Sequence, residues 1–339
     1  MATIKDVAKR AGVSIGIVSK AFNNYPDVSE KTKQRILEIA KEMNYTPNVV
    51  AKNLSSKKQL TIGIITSGLL NMDGKDNFNL FNMYKGAYSA VEDKQYELAY
   101  FFTDSIKQKE KSYAQFCRER NIGGAILQGI SVDDPYFKEL VDTNIPCVLI
   151  DITTNDEKGL IGNVSTDNFE ASREVANYLL ESQHRNIAVI AGKVEAVVNA
   201  ERLAGVIAAF KDHGLELQEE DVLHANFSEE DAYTMAKQYL ETKKPTAFLC
   251  FSDLMAFGVM KAVKEAGLRI PEDISITGFD GLIITEYTQP LLTTVRQDFF
   301  EIGKQSALLL QQMMEKKSTN QRVFVPHQLI KRESVKPLS

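Results

Sequence analysis

Apolar residues fall at Ile4, Val7, Ala8 and Ala11, the i, i+3, i+4, i+7 spacing that draws one stripe along a short helix. Thr3, with Asp6 three residues on, supplies a capping-box start. Gly12-Val13-Ser14 breaks the stripe, because Gly12 tolerates a left-handed turn and Ser14 suits the cap of a second helix. In that second helix Val18, Ala21 and Phe22 face inward, while Ile15, Gly16, Ser19, Lys20 and Asn23 point away. A third helix starts near Ser29 and buries Ile36, Ile39, Ala40 and Met43. Three short helices with a tight glycine turn between the first two predict an all-α helix-turn-helix domain over residues 1–46.

The pattern then changes. Thr46-Pro47-Asn48 reads as a helix start, with threonine as cap and proline at the first helical position. The helix so begun, Pro47 to Ser56, is shorter than the ~12–15 residues at which an isolated helix becomes marginal in water. Residues 47–59 are therefore expected to be a hinge helix and linker that orders only on contact with DNA and a second chain.

From residue 60 onward, short apolar runs alternate with amphipathic stretches. The strands expected are Leu60–Thr66, Tyr96–Phe102, Gly124–Gln128 and Cys147–Asp151, then Ile187–Ala191, Val222–Ala225, Ala247–Phe251 and Ile274–Phe279. The helices between them include Ala171–Leu180, Ala232–Leu240 and Leu254–Ala266. Two such series predict an α/β body of two doubly wound, parallel-sheet lobes over residues 60–339. The first lobe is expected over about 60–161 and 291–320, the second over about 162–290 and 321–339. Ligands of open α/β sheets lie beyond the carboxyl ends of the strands, so informative residues should follow strands. Asp151, Ser252 and Asp280 do, and Arg202 opens a helix after the Ile187 strand. Carboxylates with a guanidinium fork suit a polyhydroxyl ligand, whose hydroxyls both donate and accept, and Phe227 and Phe299 offer cover for apolar ring faces. Structural ion pairs and caps account for each polar residue singly just as well.

Charge sharpens the division. Residues 1–60 carry 11 Lys/Arg against 5 Asp/Glu, whereas the rest carries 29 against 40. A basic head on an acidic body fits a polyanion-binding module, although a solvated basic surface has the same composition. In the groove of a duplex, Lys20 suits guanine O6/N7 and Ile15 a thymine methyl. Ser14, Ser19, Asn23, Thr32 and Tyr45 suit phosphate oxygens. Lys52 and Asn53 in the hinge suit phosphate or groove-floor acceptors.

Composition excludes other classes. No run approaches the ~20 uncharged apolar residues of a membrane helix, and the N-terminus lacks a secretory core, so a cytoplasmic protein is expected. Cys117, Cys147 and Cys250 are few, odd in number and far apart, which suits reduced buried thiols. The four histidines have no ligand spacing, and there is no Gly-x-Gly-x-x-Gly, phosphate loop or Gly-x-Ser-x-Gly elbow. No metal, cofactor or catalytic residue is expected.

The N-terminus, Ile4 to Ser14, Val18 to Asn23 and Asn44 to Asn48, resembles the lactose-repressor (LacI/GalR) family of bacterial regulators. Further likeness lies in His184–Gly192, Arg202–Gly205, Ser252–Gly258, Pro271–Asp280 and Pro290–Phe299. The resemblance implies a periplasmic-binding-protein-like body, operator binding as a homodimer at a pseudo-palindrome, and a small effector, most readily a sugar or sugar derivative. It also implies that Leu54 wedges into the minor groove at the operator centre, and that Asp151, Arg202, Phe227, Ser252, Asp280, Gln297 and Phe299 contact effector. Helix residues Phe81–Ala90 are expected at the two-fold interface, and the chain end lacks a leucine heptad, which predicts a dimer and not a tetramer. Three departures stand out: Ile17 replaces a usual threonine, Ser252 an asparagine common in sugar-responsive members, and Leu69–Asn82 lengthens the first strand-to-helix link. A nucleoside or base, or a phosphorylated carrier protein, stays open as the regulatory input. A solute-binding protein without a DNA role and an enzyme on the same scaffold are the competing classes.

Overall fold

The computed structural model describes residues 2–22, 25–46, 60–67, 77–92, 94, 96–154, 160–317 and 322–338. It falls into two units, Met1–Leu60 and Thr61–Ser339. The hinge expected over 47–59 lies outside the described residues.

In the first unit, α1 (Ile4–Ala11), α2 (Ile15–Phe22) and α3 (Glu30–Glu42) close around Val7, Ala8, Ala11, Val18, Ala21, Ile36 and Ala40. The caps are those the sequence specifies. Thr3 and Asp6 form the reciprocal capping box of α1, and Gly12 ends that helix at φ 65°, where a β-carbon would be strained. Ser14 Oγ accepts from the Ile17 N–H at 3.3 Å and Ser29 Oγ from that of Thr32 at 3.3 Å, so α2 and α3 begin on hydroxyl acceptors.

The second unit holds two six-stranded sheets. The first has order β2-β1-β3-β4-β5-β11, all parallel, from β1 (Thr61–Ser67), β2 (Glu97–Thr103), β3 (Ile122–Gln128), β4 (Cys147–Ile150), β5 (Ile161–Thr166) and β11 (Arg322–Val325). Strand periodicity splits its apolar residues between two cores. Ile62, Ile64, Ile126, Val148 and Val164 meet α4 (Asn77–Val91) and α12 (Phe299–Met314). Ile65, Leu127, Leu149 and Cys147 meet Tyr113, Phe116, Tyr136 and Leu140 on the other face. Helices α4 and α12 approach so closely that a β-carbon on Gly303 would lie 1.9 Å from the Met83 carbonyl oxygen.

The second sheet has order β7-β6-β8-β9-β10-β12, from β6 (Ile187–Ala191), β7 (Val222–His224), β8 (Ala247–Cys250), β9 (Ser275–Asp280), β10 (Thr293–Gln297) and β12 (His327–Ile330), with only β12 antiparallel. Helices α8 (Asn168–Glu181), α9 (Val197–Asp212), α10 (Glu229–Thr242) and α11 (Asp253–Glu265) cover it.

The lobe boundaries differ from those expected. Ile161–Thr166 and Arg322–Val325 are strands of the first sheet, and Thr293–Gln297 is a strand of the second. The reason is composition: in β5 the buried residues include Asn163, Ser165 and Thr166, so this inner strand does not look apolar. Asn163 compensates by donating to the carbonyls of Leu149 at 3.3 Å and Ile152 at 2.5 Å. The chain thus changes lobe between β5 and α8, between β10 and α12, and between β11 and β12. The supposed extension Leu69–Asn82 is partly helix, since α4 begins at Asn77; residues 69–76 lie outside the described residues.

Candidate functional site

On the first unit, α2 presents an exposed face. Ile15 and Ile17 are 44% and 37% exposed, Gly16 is open, and Lys20 stands beside them as the only charged residue of the helix. Ile17 puts apolar surface on this face. Ser14 is engaged as the cap of α2, and the Thr32 hydroxyl lies 2.9 Å from that of Ser29. Tyr45 sets its ring edge-on to Phe22, 5.8 Å between centroids, and burial pushes its phenol up. The ring therefore belongs to the small core, leaving the hydroxyl as its only polar offering. Ser19 is half-buried on α2. Asn23, Lys52, Asn53 and Leu54 lie outside the described residues.

On the second unit, the strand ends and the crossings between lobes bring a polar chain together. Ser165 Oγ donates to Asp151 Oδ1 at 2.7 Å, and Asn168 Nδ2 approaches Ser165 Oγ at 3.2 Å. Asn168 Oδ1 accepts from Arg202 Nε at 2.9 Å, Arg202 Nη1 lies 3.9 Å from Asp280 Oδ1, and Gln297 Nε2 donates to Asp280 Oδ1 at 2.8 Å. Six residues from both lobes thus form one connected path. Arg202 is its centre: 3% exposed, it also donates to the Phe251 carbonyl and stacks 3.7 Å from the Phe279 ring centroid.

Three of the eight non-glycine residues with positive φ among the described residues are expected site residues. Asp151, Phe227 and Asp280 hold φ at 62°, 60° and 117°, a region that non-glycine residues avoid. Such strain concentrates where structure serves a site. Electrostatics agree. Burial pulls the Arg202 guanidinium down, opposed by the carboxylates of Asp280 and Asp151, while burial raises the Asp151 carboxyl against Ser165 and Arg202. Three buried side-chain oxygens at strand ends, Gln128 Oε1, Thr166 Oγ1 and Gln297 Oε1, have no hydrogen-bond partner. The Gln297 amide cannot be turned round to remove its orphan, because its nitrogen donates to a carboxylate.

The remaining expected residues are placed less directly. Ser252 caps α11, its Oγ accepting from the Met255 N–H at 3.1 Å, directly after the carbonyl that Arg202 grips. The Phe227 ring lies over Gly192, where a β-carbon would come within 2.1 Å of it. Phe299 begins α12 and packs on the core of the first sheet. The sequence reading missed Ser165, Asn168 and Phe279. Ser165 and Asn168 flank a crossing that no apolar pattern announces, and Phe279 looks like an ordinary strand residue until Arg202 is seen on its face.

The comparisons with known proteins fall on the same two units. The model of bacterial regulatory proteins, lacI family, matches residues 3–48, and that of the periplasmic binding protein-like domain matches residues 176–335. The chain is 32% identical to the HTH-type transcriptional repressor PurR of Vibrio vulnificus (strain CMCP6), over 100% of both chains. It is 31% identical to the probable HTH-type transcriptional repressor ExuR of Bacillus subtilis (strain 168), again over 100% of both. A crystal structure of the lac repressor dimer bound to operator and the anti-inducer ONPF matches with a TM-score of 0.83 at 27% identity, covering 99% of each chain.

Proposed function

This chain belongs to the lacI family of bacterial regulatory proteins and is a DNA-binding transcriptional regulator, and we propose that it represses from a pseudo-palindromic operator under the control of a small polyhydroxyl effector. The effector is a sugar or sugar derivative, held where Asp151, Arg202, Asp280 and Gln297 converge, with Ser252, Phe227 and Phe299 at the margins. One observation carries this reading: a single polar path, Asp151–Ser165–Asn168–Arg202–Asp280–Gln297, hydrogen-bonded at every step except the Arg202–Asp280 ion pair, joins the two lobes around a buried guanidinium. Hydroxyl groups supply donors to the orphaned oxygens of Gln128, Thr166 and Gln297 and acceptors to Arg202. A ligand bound across the path biases the angle between lobes. A coupling of ~1–3 kcal/mol to DNA binding gives roughly 5–150-fold control.

The DNA end uses the α2 face for base edges, residues 1–46 as headpiece and 47–59 as a hinge that orders on the duplex with Leu54 as wedge. Two copies are required, because one headpiece reads only a half-site. The edge strand β2 and helix α4 offer the surface. Phe81, Tyr88, Tyr100 and Phe102 are all exposed, a cluster of aromatic rings that a partner could cover. We place the homodimer in the cytoplasm and assign it no reaction.

A thermal-shift screen of sugars, sugar phosphates, nucleosides and bases, followed by gel shifts on a promoter fragment, tests this reading. A ligand at 100 times its dissociation constant stabilises by ~2.7 kcal/mol. The expected hit is a neutral sugar that also changes operator affinity. A nucleoside or base hit replaces the effector class, and a response only to a phosphorylated carrier protein moves the input off this site altogether.

A further inference from the structure

Lys20, the one charge on α2, pairs its ammonium with the carboxylate of Asp27 in the turn that follows the helix. The turn is fixed around this pair. The Tyr25 N–H donates to the Lys20 carbonyl at 3.1 Å, the Val28 N–H to the Tyr25 carbonyl at 3.3 Å, and Ser29 then caps α3. Both partners are about half exposed, so neither is driven together by burial, and the pair contributes little to stability. Its effect lies in what it does to the recognition face.

We propose that Asp27 is a specificity-determining residue of the headpiece, acting through Lys20. The inference rests on the reading of α2 as the base-reading helix. Every uncompensated cation on a groove-facing helix adds affinity for any duplex, because phosphate attraction carries no sequence. Asp27 cancels the single cation of α2 and so removes that indiscriminate contribution. It also biases an otherwise flexible side chain toward one place. An ammonium has three donors. One stays with Asp27 while another reaches guanine O6 or N7, so the pair enters the groove intact where guanine is present. Elsewhere the carboxylate is carried toward the phosphates without that return, and discrimination comes from a penalty on wrong sites as much as from a bond to the right one.

The test uses the full-length protein and two probes: a duplex library with a randomised core, and sonicated DNA of unrelated sequence. Asp27→Asn is expected to bind the unrelated DNA several-fold more tightly at low salt, with the log–log salt slope steeper by up to about 0.9 per headpiece. It is also expected to select library sequences in which one base pair of each half-site has lost its preference. Asp27→Glu keeps the charge and should restore both readouts, which separates the effect from damage to the turn. In a Lys20→Met background, Asp27→Asn should change affinity for all sequences alike and base preference not at all. An Asp27→Asn protein that selects the same half-site with unchanged salt slope overturns the proposal while leaving operator binding intact. A wild-type protein that enriches no sequence overturns the DNA-reading assignment and this inference with it.

Discussion

Arg322, at the start of β11 in the first sheet, donates to Glu201 on α9 of the second lobe at 2.8 Å, and the same carboxylate accepts from Asn168 at 3.2 Å. Glu201 therefore ties an edge strand of one lobe to the residue that holds Arg202, its own neighbour in sequence. The pair is a strap across the lobes, placed one residue from the centre of the proposed effector site.

Removing the strap should affect signalling more than stability. The Arg322 side chain is 44% exposed, so solvent screens the pair and its loss costs less than about 1 kcal/mol. For Glu201→Gln we expect a melting temperature lowered by about 2 °C or less. The effector-induced change in operator affinity should shrink several-fold, read by gel shift with and without the compound found in the thermal screen. A variant that melts much earlier yet responds normally would make Glu201 a structural residue only.

Arg202→Ala should do the opposite at the cleft. The guanidinium is buried beside Asp280, with Phe251 and Asn168 accepting its protons, so truncation leaves those groups without their donor. We expect a loss of about 3 kcal/mol, at the lower end for a broken buried pair because Gln297 still donates to Asp280. Ligand-induced stabilisation should vanish while operator binding survives below the lowered melting temperature. Retained stabilisation by the same ligand would place the effector elsewhere.

These residues also show what sequence discloses. Headpiece boundaries follow from local rules: Thr3, Gly12, Ser14 and Ser29 each cap or end a helix by their own side chain or backbone freedom, and each is where the spacing predicts. The strands of both sheets were legible where they are apolar, as in Ile187–Ala191. The strand Ile161–Thr166 was not, since its polar residues are buried by pairing between β4 and β11, a long-range fact. Likewise Asp151, Arg202 and Asp280 stood out by chemistry after strands, while Ser165 and Asn168 became visible only when the crossing folded them between those three.

Gly303→Ala tests the packing that carries the first lobe. A β-carbon there would stand 1.9 Å from the Met83 carbonyl oxygen, and backbone, unlike a side-chain tip, cannot swing aside. Helices α4 and α12 must separate, at a cost of about 1–3 kcal/mol for an overpacked contact. The melting temperature of the body should drop by several degrees, with operator selectivity unchanged in protein that stays folded. An unchanged melting curve would mean the helices sit farther apart than described.

Asp253 sets a pH dependence of stability that runs against the usual carboxylate trend. Fully buried after β8, it has its carboxyl pushed up to about 7 by burial, against donors from Thr294 Oγ1 at 2.6 Å and the Leu282 N–H at 2.7 Å, with Arg332 also pulling it down. An unfolded chain releases this proton near pH 3.9, so between about 4 and about 7 the folded state holds more protons than the unfolded one. The stabilisation this group provides is complete below about pH 4 and is lost as pH rises through about 7. Asp6, Asp104, Asp273 and Glu301, held low by their own partners, contribute in the opposite sense and at lower pH. In urea titrations across this range, Asp253→Asn, which cannot ionise, should gain stability relative to the parent as pH rises, and the gap should level off above neutrality. A gap that stays constant from the acid end to the alkaline end would show that burial does not raise the Asp253 carboxyl, its two donors and the Arg332 charge outweighing the burial.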